Sequence, residues 1–216
     1  MDYKDEIILV GNGPSILERE LGSLIDSFGH VVRYNGACPL LRKHLIPNTG
    51  MKTHIHCINI ITMHDLRRDF EIYLSAPELK TILLEPANLH SPQKGPASLF
   101  NPRNDGDWAE WKREFLDPHV NLECMFYSNC DGAYRSPDGK FPSMGLVSIF
   151  HYLKWYERVF LIGFDSVLDG ISRSPEDHHY EGLPSDKPHY HNWEHERLIV
   201  KDLIEKDKVV VLRDVS

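Results

Sequence analysis

A chain of 216 residues, 41% hydrophobic, 26% charged and 10% aromatic, has the composition of an ordinary globular domain, and its length suffices to bury about 70% of the unfolded surface around one core. Its formal net charge of −8 and the lack of any Lys/Arg cluster exclude a nucleic-acid-binding face, while leaving room for a local basic pocket for a small anion. No run approaches the ~18 apolar residues of a membrane helix, and residues 1–6 are charged and unlike a signal peptide, so the expected location is cytoplasmic, the alternative being a luminal domain whose anchor has been removed.

Residues 2–5 partly resemble an epitope tag and carry no functional weight. The apolar run Ile7-Ile8-Leu9-Val10 suits a strand buried on both faces, and Gly11-Asn12-Gly13-Pro14 ends it. Residues 15–28 then read as a helix, with Ser15 as N-cap and Glu18 completing a capping box. Further strands are expected at 31–35, 54–61 and 81–84, with a helix over 64–74 before the last of them. Residues 85–103, rich in Pro, Asn and Ser, read as a long surface loop, followed by a helix over 107–115. Residues 144–156 predict a helix with Leu146, Ile149, Phe150 and Leu153 on its apolar side, and Val159-Phe160-Leu161-Ile162 a buried strand stopped by Gly163. After a polar loop over 169–190, Asn192 caps a helix reaching Glu205, and residues 209–212 close the sheet. Short apolar runs alternating with helices predict an α/β fold, with a mostly parallel sheet flanked by helices and one domain over residues 1–216.

Three segments carry chemistry. The turn Gly11-Asn12-Gly13-Pro14-Ser15 lets backbone approach a nucleotide and directs helix-start N–H groups toward a phosphate, although the third glycine of the G-x-G-x-x-G pattern and the Walker lysine are both missing. Its alternative is a plain strand–helix turn. Pro142-Ser143-Met144-Gly145 opens a helix with a hydroxyl and small residues that can contact a phosphate, ribose or carboxylate; the plain alternative is a serine cap with a glycine for close packing. His178, His179, His189, His191 and His195 form a cluster able to take a hydroxyl proton or hydrogen-bond a phosphate. His191 and His195 at i, i+4 also admit zinc, without the glutamate of H-E-x-x-H; a merely His-rich loop is the remaining reading. Asp105-Gly106-Asp107, a possible metal-holding D-x-D, reads better as a turn and an N-cap.

Taken in order, these segments resemble the eukaryotic-type sialyltransferase family, glycosyltransferase family 29. The long motif of that family is similar to residues 8–37, through the V-G-N turn, Ile25-Asp26-Ser27 and Val32-Arg33-Tyr34-Asn35; Gly50-Met51-Lys52-Thr53-His54 resembles its next stretch. Its short motif resembles residues 142–164, its third motif His178-His179-Tyr180-Glu181, and its last motif His191 with Glu196 five residues on. The Gly11-Asn12-Gly13-Pro14-Ser15 opening also resembles bacterial family 42 sialyltransferases.

The resemblance implies a Rossmann-like fold of GT-A-variant type and an inverting, metal-independent transfer of sialic acid, or of a related 2-keto sugar acid such as Kdo. The donor would be a CMP-sugar and the acceptor a glycan, with no cofactor. Carried over, Gly11, Asn12, Gly13, Ser15 and Asn35 would surround the phosphate and cytidine; Ser143, Met144 and Gly145 the nucleotide or sugar carboxylate. His178 or His179 would support the departing phosphate with Tyr180 beside them, and His191 would be the base. The paired cysteines of the family would fall near Ile7 and at Tyr156, neither of which is cysteine; the four present, Cys38, Cys57, Cys124 and Cys130, are widely spaced with no C-x-x-C and read as mostly reduced, although an even number permits a bridge. This suits a reducing compartment rather than a Golgi-type lumen. Phe141 stands where many members have a phosphate-reaching tyrosine, for which Tyr127, Tyr134 or Tyr180 could substitute. Met144 replaces a small hydroxyl residue. Two rival readings stay open: a non-catalytic nucleotide- or sugar-binding protein of the same fold, and a zinc-dependent hydrolase built on the His-rich loop.

Overall fold

The computed structural model describes residues 3–35, 39, 42–59, 78–85, 121–124, 136–140, 142–168 and 191–212. Seven strands, β1 Ile7–Val10, β2 His30–Tyr34, β3 Ile55–Asn59, β4 Thr81–Glu85, β5 Asn121–Cys124, β6 Val159–Ile162 and β7 Val209–Val211, form one sheet in the order β5-β4-β3-β2-β1-β6-β7. Every neighbouring pair is parallel. The chain walks outward from β1 to β5, then returns to lay β6 on the other side of β1. The β1/β6 boundary is therefore a topological switch point, where open α/β sheets leave a crevice at the carboxyl ends of the strands.

The two faces of the sheet explain the apolar runs. Alternate residues of β1, β2 and β6 point opposite ways. Ile7, Leu9, Val32, Tyr34, Val159 and Leu161 pack with Leu146, Val147, Ile149, Val167, Val200 and Leu203. Those partners belong to α3 Met144–Tyr152, α4 Asp165–Leu168 and α5 Trp193–Glu205. On the opposite face Ile8, Val10, Val31, Phe160 and Ile162 pack with Ile16, Ile25 and Phe28. There Tyr3 stacks on Phe28 at 4.4 Å between ring centres, and both meet the Phe160 ring edge-on. Strands covered on both sides must be apolar at every position, which is why β1 and β6 read as continuous runs.

The helix expected over residues 15–28 does not form. Pro14–Glu18 is a 3-10 turn capped by Gly13 without a side-chain bond; the chain then extends at Arg19, and a short α1 follows at Gly22–Ile25. The predicted capping box fails because Gly13 takes the cap position and Pro14 opens the turn, which puts Ser15 inside it. β5, a short α2 at Ile46–Thr49, and α4 escaped prediction. The expected helices over 64–74 and 107–115, the loops over 85–103 and 169–190, and Asp105-Gly106-Asp107 lie outside the described residues. So do Cys38 and Cys130, whereas Cys57 is a buried free thiol.

Several motif residues turn out to brace the β2–β3 connection. The Arg33 side chain is fully buried; its Nε donates to the Lys52 carbonyl at 2.9 Å and to Thr53 Oγ1 at 3.1 Å, and its Nη2 to the Thr49 carbonyl at 2.8 Å. The Asp26 carboxylate accepts from the Met51 N–H at 2.9 Å and the Lys52 N–H at 2.8 Å. A guanidinium and a carboxylate thus hold opposite polar edges of one loop, which fixes where β2 delivers Tyr34 and Asn35.

Candidate active site

The first part of the site is the turn after β1. Gly11 N–H donates to the Ile162 carbonyl and Gly13 N–H to the Gly163 carbonyl, each at 2.8 Å, so the ends of β1 and β6 are stitched together. A methyl group at Gly11 would lie 2.2 Å from the Gly163 carbonyl oxygen, and Gly163 itself has φ of +68°. The crossing therefore admits only glycine at both places. Beside it, the Asp165 carboxylate accepts from the Ser15 N–H at 2.8 Å and from the Ser15 hydroxyl. The donors of Gly11, Gly13 and Ser15 are thus spent on the protein, and the expected phosphate cradle of helix-start N–H groups is not assembled here.

Asn12 is the residue of this turn that retains unused capacity. Its Nδ2 donates to the Tyr34 carbonyl at 3.2 Å, while its buried Oδ1 has no partner among the described residues. A buried polar atom left unmatched costs about 1–3 kcal/mol, so a missing donor is indicated there. Asn35 follows Tyr34 at the carboxyl end of β2, in the left-handed region at φ 49°. Its N–H donates to the Cys57 carbonyl at 2.8 Å, and its carbonyl accepts from His56 Nε2 at 2.6 Å. Burial lowers the His56 pKa to about 4, which keeps that imidazole neutral.

The second part is built from two helix starts. Helices running antiparallel to the strands they precede begin at the carboxyl edge of the sheet, so the N-termini of α3 and α5 lie on the same rim as the glycine turn. Ser143 caps α3, its Oγ accepting from the Leu146 N–H at 3.2 Å. Its own N–H and hydroxyl donate to the two oxygens of Glu196, at 2.7 and 2.6 Å. Glu196 is 2% exposed, and burial pushes its carboxyl up to about 7 against the lowering pull of these two bonds. Asn192 caps α5, its Oδ1 accepting from the His195 N–H at 3.0 Å. Immediately before it stands His191, half-buried, its ring 5.1 Å from that of Trp193 and tilted edge-on. Gly145 completes the link to the first part: a methyl there would lie 2.8 Å from Phe164, whose ring also borders Gly11 and meets Tyr34 edge-on at 5.9 Å.

The sequence matches glycosyltransferase family 29 (sialyltransferase) from residue 5 to residue 208. The chain belongs to this family. No curated protein matches it. Among solved structures, a mammalian sialyltransferase is similar with a TM-score of 0.62 and 18% identity, over 96% of this chain and 68% of that one. A second, a mammalian sialyltransferase in complex with Gal-β-1-3GalNAc-ortho-nitrophenol, gives 0.59 and 17% over the same shares. The parallel-sheet fold of this family-29 sialyltransferase is thus shared with them.

Within this family-29 chain the structure gathers Gly11, Asn12, Gly13, Asn35, Ser143, Gly145 and His191 along one rim. Met144 sends its side chain into the core beneath α3 instead of toward the rim. Both donors of Ser15 go to Asp165, and both donors of Ser143 to Glu196. His178, His179 and Tyr180 lie outside the described residues. Sequence reasoning passed over Asp165, and placed Phe164 and Glu196 only as members of the short and last motifs, without a role of their own. The available signals were an acid directly after a buried strand at the switch point, and an acid one turn into a helix behind a histidine. Among the described residues, no three His, Cys, Asp or Glu side chains form a metal-holding group, and no helix is long and apolar enough to cross a membrane.

Proposed function

We propose that this sialyltransferase moves sialic acid, or a related 2-keto sugar acid such as Kdo, from a CMP-sugar to a glycan hydroxyl with inversion, independently of metal. His191 is the base. It removes the acceptor hydroxyl proton while that oxygen bonds the anomeric carbon; the carbon–phosphate oxygen bond breaks, and CMP departs with the electron pair. A positioned base supplies about 10²–10⁴-fold of the rate. Stabilising charge on the leaving phosphate contributes at least comparably, a role assigned here to His178 or His179, with Tyr180 beside them. Asn12 and Asn35 hold the nucleotide.

The observation that carries this reading is the shared rim. The unmatched Asn12 Oδ1 sits at the switch point, and the α5 start that bears His191 is bonded to the α3 start beside it. The occupied N–H groups of the glycine turn, with the Asp165 carboxylate among them, favour a monophosphate donor over a diphosphate needing its own cradle. The lack of cysteine at positions 7 and 156 favours a reducing, cytoplasmic setting.

The test is a binding titration of CMP, CDP, UDP and GDP, followed by transfer assays with CMP-sialic acid and CMP-Kdo. The Gal-β-1-3GalNAc glycoside bound by one similar structure serves as first acceptor. CMP should bind tightest. His191→Ala should lower kcat by about 10²-fold or more with CMP affinity unchanged, and EDTA should leave the rate intact. Tighter UDP than CMP binding, or equal loss of binding and transfer in His191→Ala, would overturn the reading.

A further inference from the structure

Glu196 is conspicuous on physical grounds before any role is considered. A carboxyl group 2% exposed is costly to bury, and an apolar side chain of similar volume would fill the same space without that cost. It stands one turn inside α5, beyond the reach of its own helix cap, which Asn192 supplies. Both of its oxygens are instead committed to another element, 53 residues away in sequence. Each bond is short, and the pair grips the backbone N–H and the hydroxyl of one residue, which fixes direction as well as distance.

A second tie runs alongside. The turn Ser136–Lys140 is closed by the Gly139 N–H donating to the Ser136 carbonyl at 2.8 Å and by the Ser136 hydroxyl on Asp138. The Asn192 side chain is near enough to help hold the Asp138 carboxyl low, after the larger effect of the Ser136 hydroxyl. Ser143 therefore holds α5 at Glu196, with Asp138 facing Asn192 at the start of the same first turn, and His191 directly precedes Asn192.

We infer that Glu196 is a positioning residue: by gripping Ser143 with both oxygens it fixes the first turn of α5, and with it the His191 imidazole, relative to the rest of the rim. The inference rests on the reading of His191 as base. Glu196 is itself buried and bonded through both oxygens to Ser143, so its effect on the reaction runs through His191. A misplacement of about 1 Å in a reacting group costs on the order of 10²-fold in rate, whereas nucleotide contacts at the Asn12 turn are unaffected by a shift of α5. The expected signature is therefore a loss in kcat with KM and CMP affinity preserved.

Four variants test this. Glu196→Gln keeps an oxygen for the Ser143 N–H and presents an N–H to the Ser143 hydroxyl; its kcat should stay within about threefold of the parent, since both bonds persist. Glu196→Met fills the same volume without hydrogen bonds; it should keep or raise the melting temperature and yet lose about 10²-fold in kcat. Ser143→Ala removes the hydroxyl bond to Glu196, together with the α3 cap on the Leu146 N–H, and should fall between them, about tenfold down in kcat. Should Glu196→Met fail to fold, the Ser143→Ala and Glu196→Gln values decide the question. CMP affinity, read by calorimetry, should stay within about threefold in Glu196→Gln and Glu196→Met. Parent-like kcat in Glu196→Met or Ser143→Ala overturns the inference, as does loss of CMP affinity in step with kcat in Glu196→Met. His191→Ala is measured in parallel: if it retains full transfer, the base assignment is what has failed.

Discussion

At the residue scale, this site depends on side chains that hold other parts of the protein rather than ligand. Asp165 is the clearest case. Its carboxylate receives the Ser15 N–H and hydroxyl across 150 residues of chain, tying the end of β6 to the turn after β1. Removing one partner of a buried or half-buried hydrogen bond leaves the other unsatisfied, at about 1–3 kcal/mol. Asp165→Ala should therefore lower the unfolding free energy by that amount, read by far-UV circular dichroism as a lower urea midpoint with the denaturant slope unchanged. Asp165→Asn, which retains one acceptor, should lose about half. An unaltered midpoint in Asp165→Ala would show that the contact does no stabilising work. What was legible in the sequence at this scale follows the same division. The glycine turn and the Asn192 cap are local patterns, written in adjacent residues. The Ser15–Asp165 and Ser143–Glu196 pairs join residues 150 and 53 positions apart, and no local pattern announces them. The capping box predicted at Ser15 and Glu18 failed because the turn starts earlier, capped by Gly13 and opened by Pro14, and the chain extends again at Arg19.

At the element scale, the rim is assembled by close approach of backbones around the Phe164 ring. Gly11 faces the Gly163 carbonyl, whereas Gly145 faces the edge of the ring itself. These two glycines should respond differently to a methyl group, because a carbonyl within a strand crossing cannot move and an aromatic ring can. Overpacking of a tight core costs about 1–3 kcal/mol; Gly145→Ala should lie within that range and Gly11→Ala at or above its upper end. In a Phe164→Leu background the cost of Gly145→Ala should largely disappear, while that of Gly11→Ala should persist. A double-mutant cycle on unfolding free energies measures both couplings. Equal coupling of the two glycines to Phe164 would refute this account of how α3 seats on the sheet. The elements themselves divide by burial. β1 and β6 were readable to the residue because both faces are covered, so every position is apolar. α5 was readable from its cap to its last residue. The edge strand β5, Asn121–Cys124, alternates in polarity over four residues and has no such signature. α4 is four residues long and forms against α5, a circumstance no window of local sequence contains.

At the scale of the whole molecule, the parallel order β5-β4-β3-β2-β1-β6-β7 brings the glycine turn and the starts of α3 and α5 to one edge of the sheet and leaves titratable groups buried among the described residues. Two kinds pull the stability in opposite directions with pH. Burial lowers the His54 and His56 pKa values to about 4 from 6.5. The unfolded chain then binds more protons than the folded one between those values, so their contribution is complete above pH 6.5 and is lost as pH falls through 4. Glu196 is shifted upward, to about 7 from 4.5. Its contribution is complete below pH 4.5 and is lost as pH rises through 7, because the folded state then gives up a proton that it held more tightly than the unfolded chain. Between pH 4.5 and 6.5 two histidines oppose one carboxyl, and the histidines prevail; above pH 6.5 only the carboxyl still titrates, and stability should turn downward. Variants isolate each limb. His56→Gln retains a side-chain N–H for the Asn35 carbonyl and removes the titration, so its melting temperature should fall less than that of the parent between pH 6.5 and 4. Glu196→Gln keeps both bonds to Ser143, and its melting temperature should stay level between pH 6.5 and 8 where that of the parent declines. Parallel curves for parent and Glu196→Gln across pH 6.5–8 would mean that the buried carboxyl titrates as it does in water, and that the grip on Ser143 is not sealed from solvent.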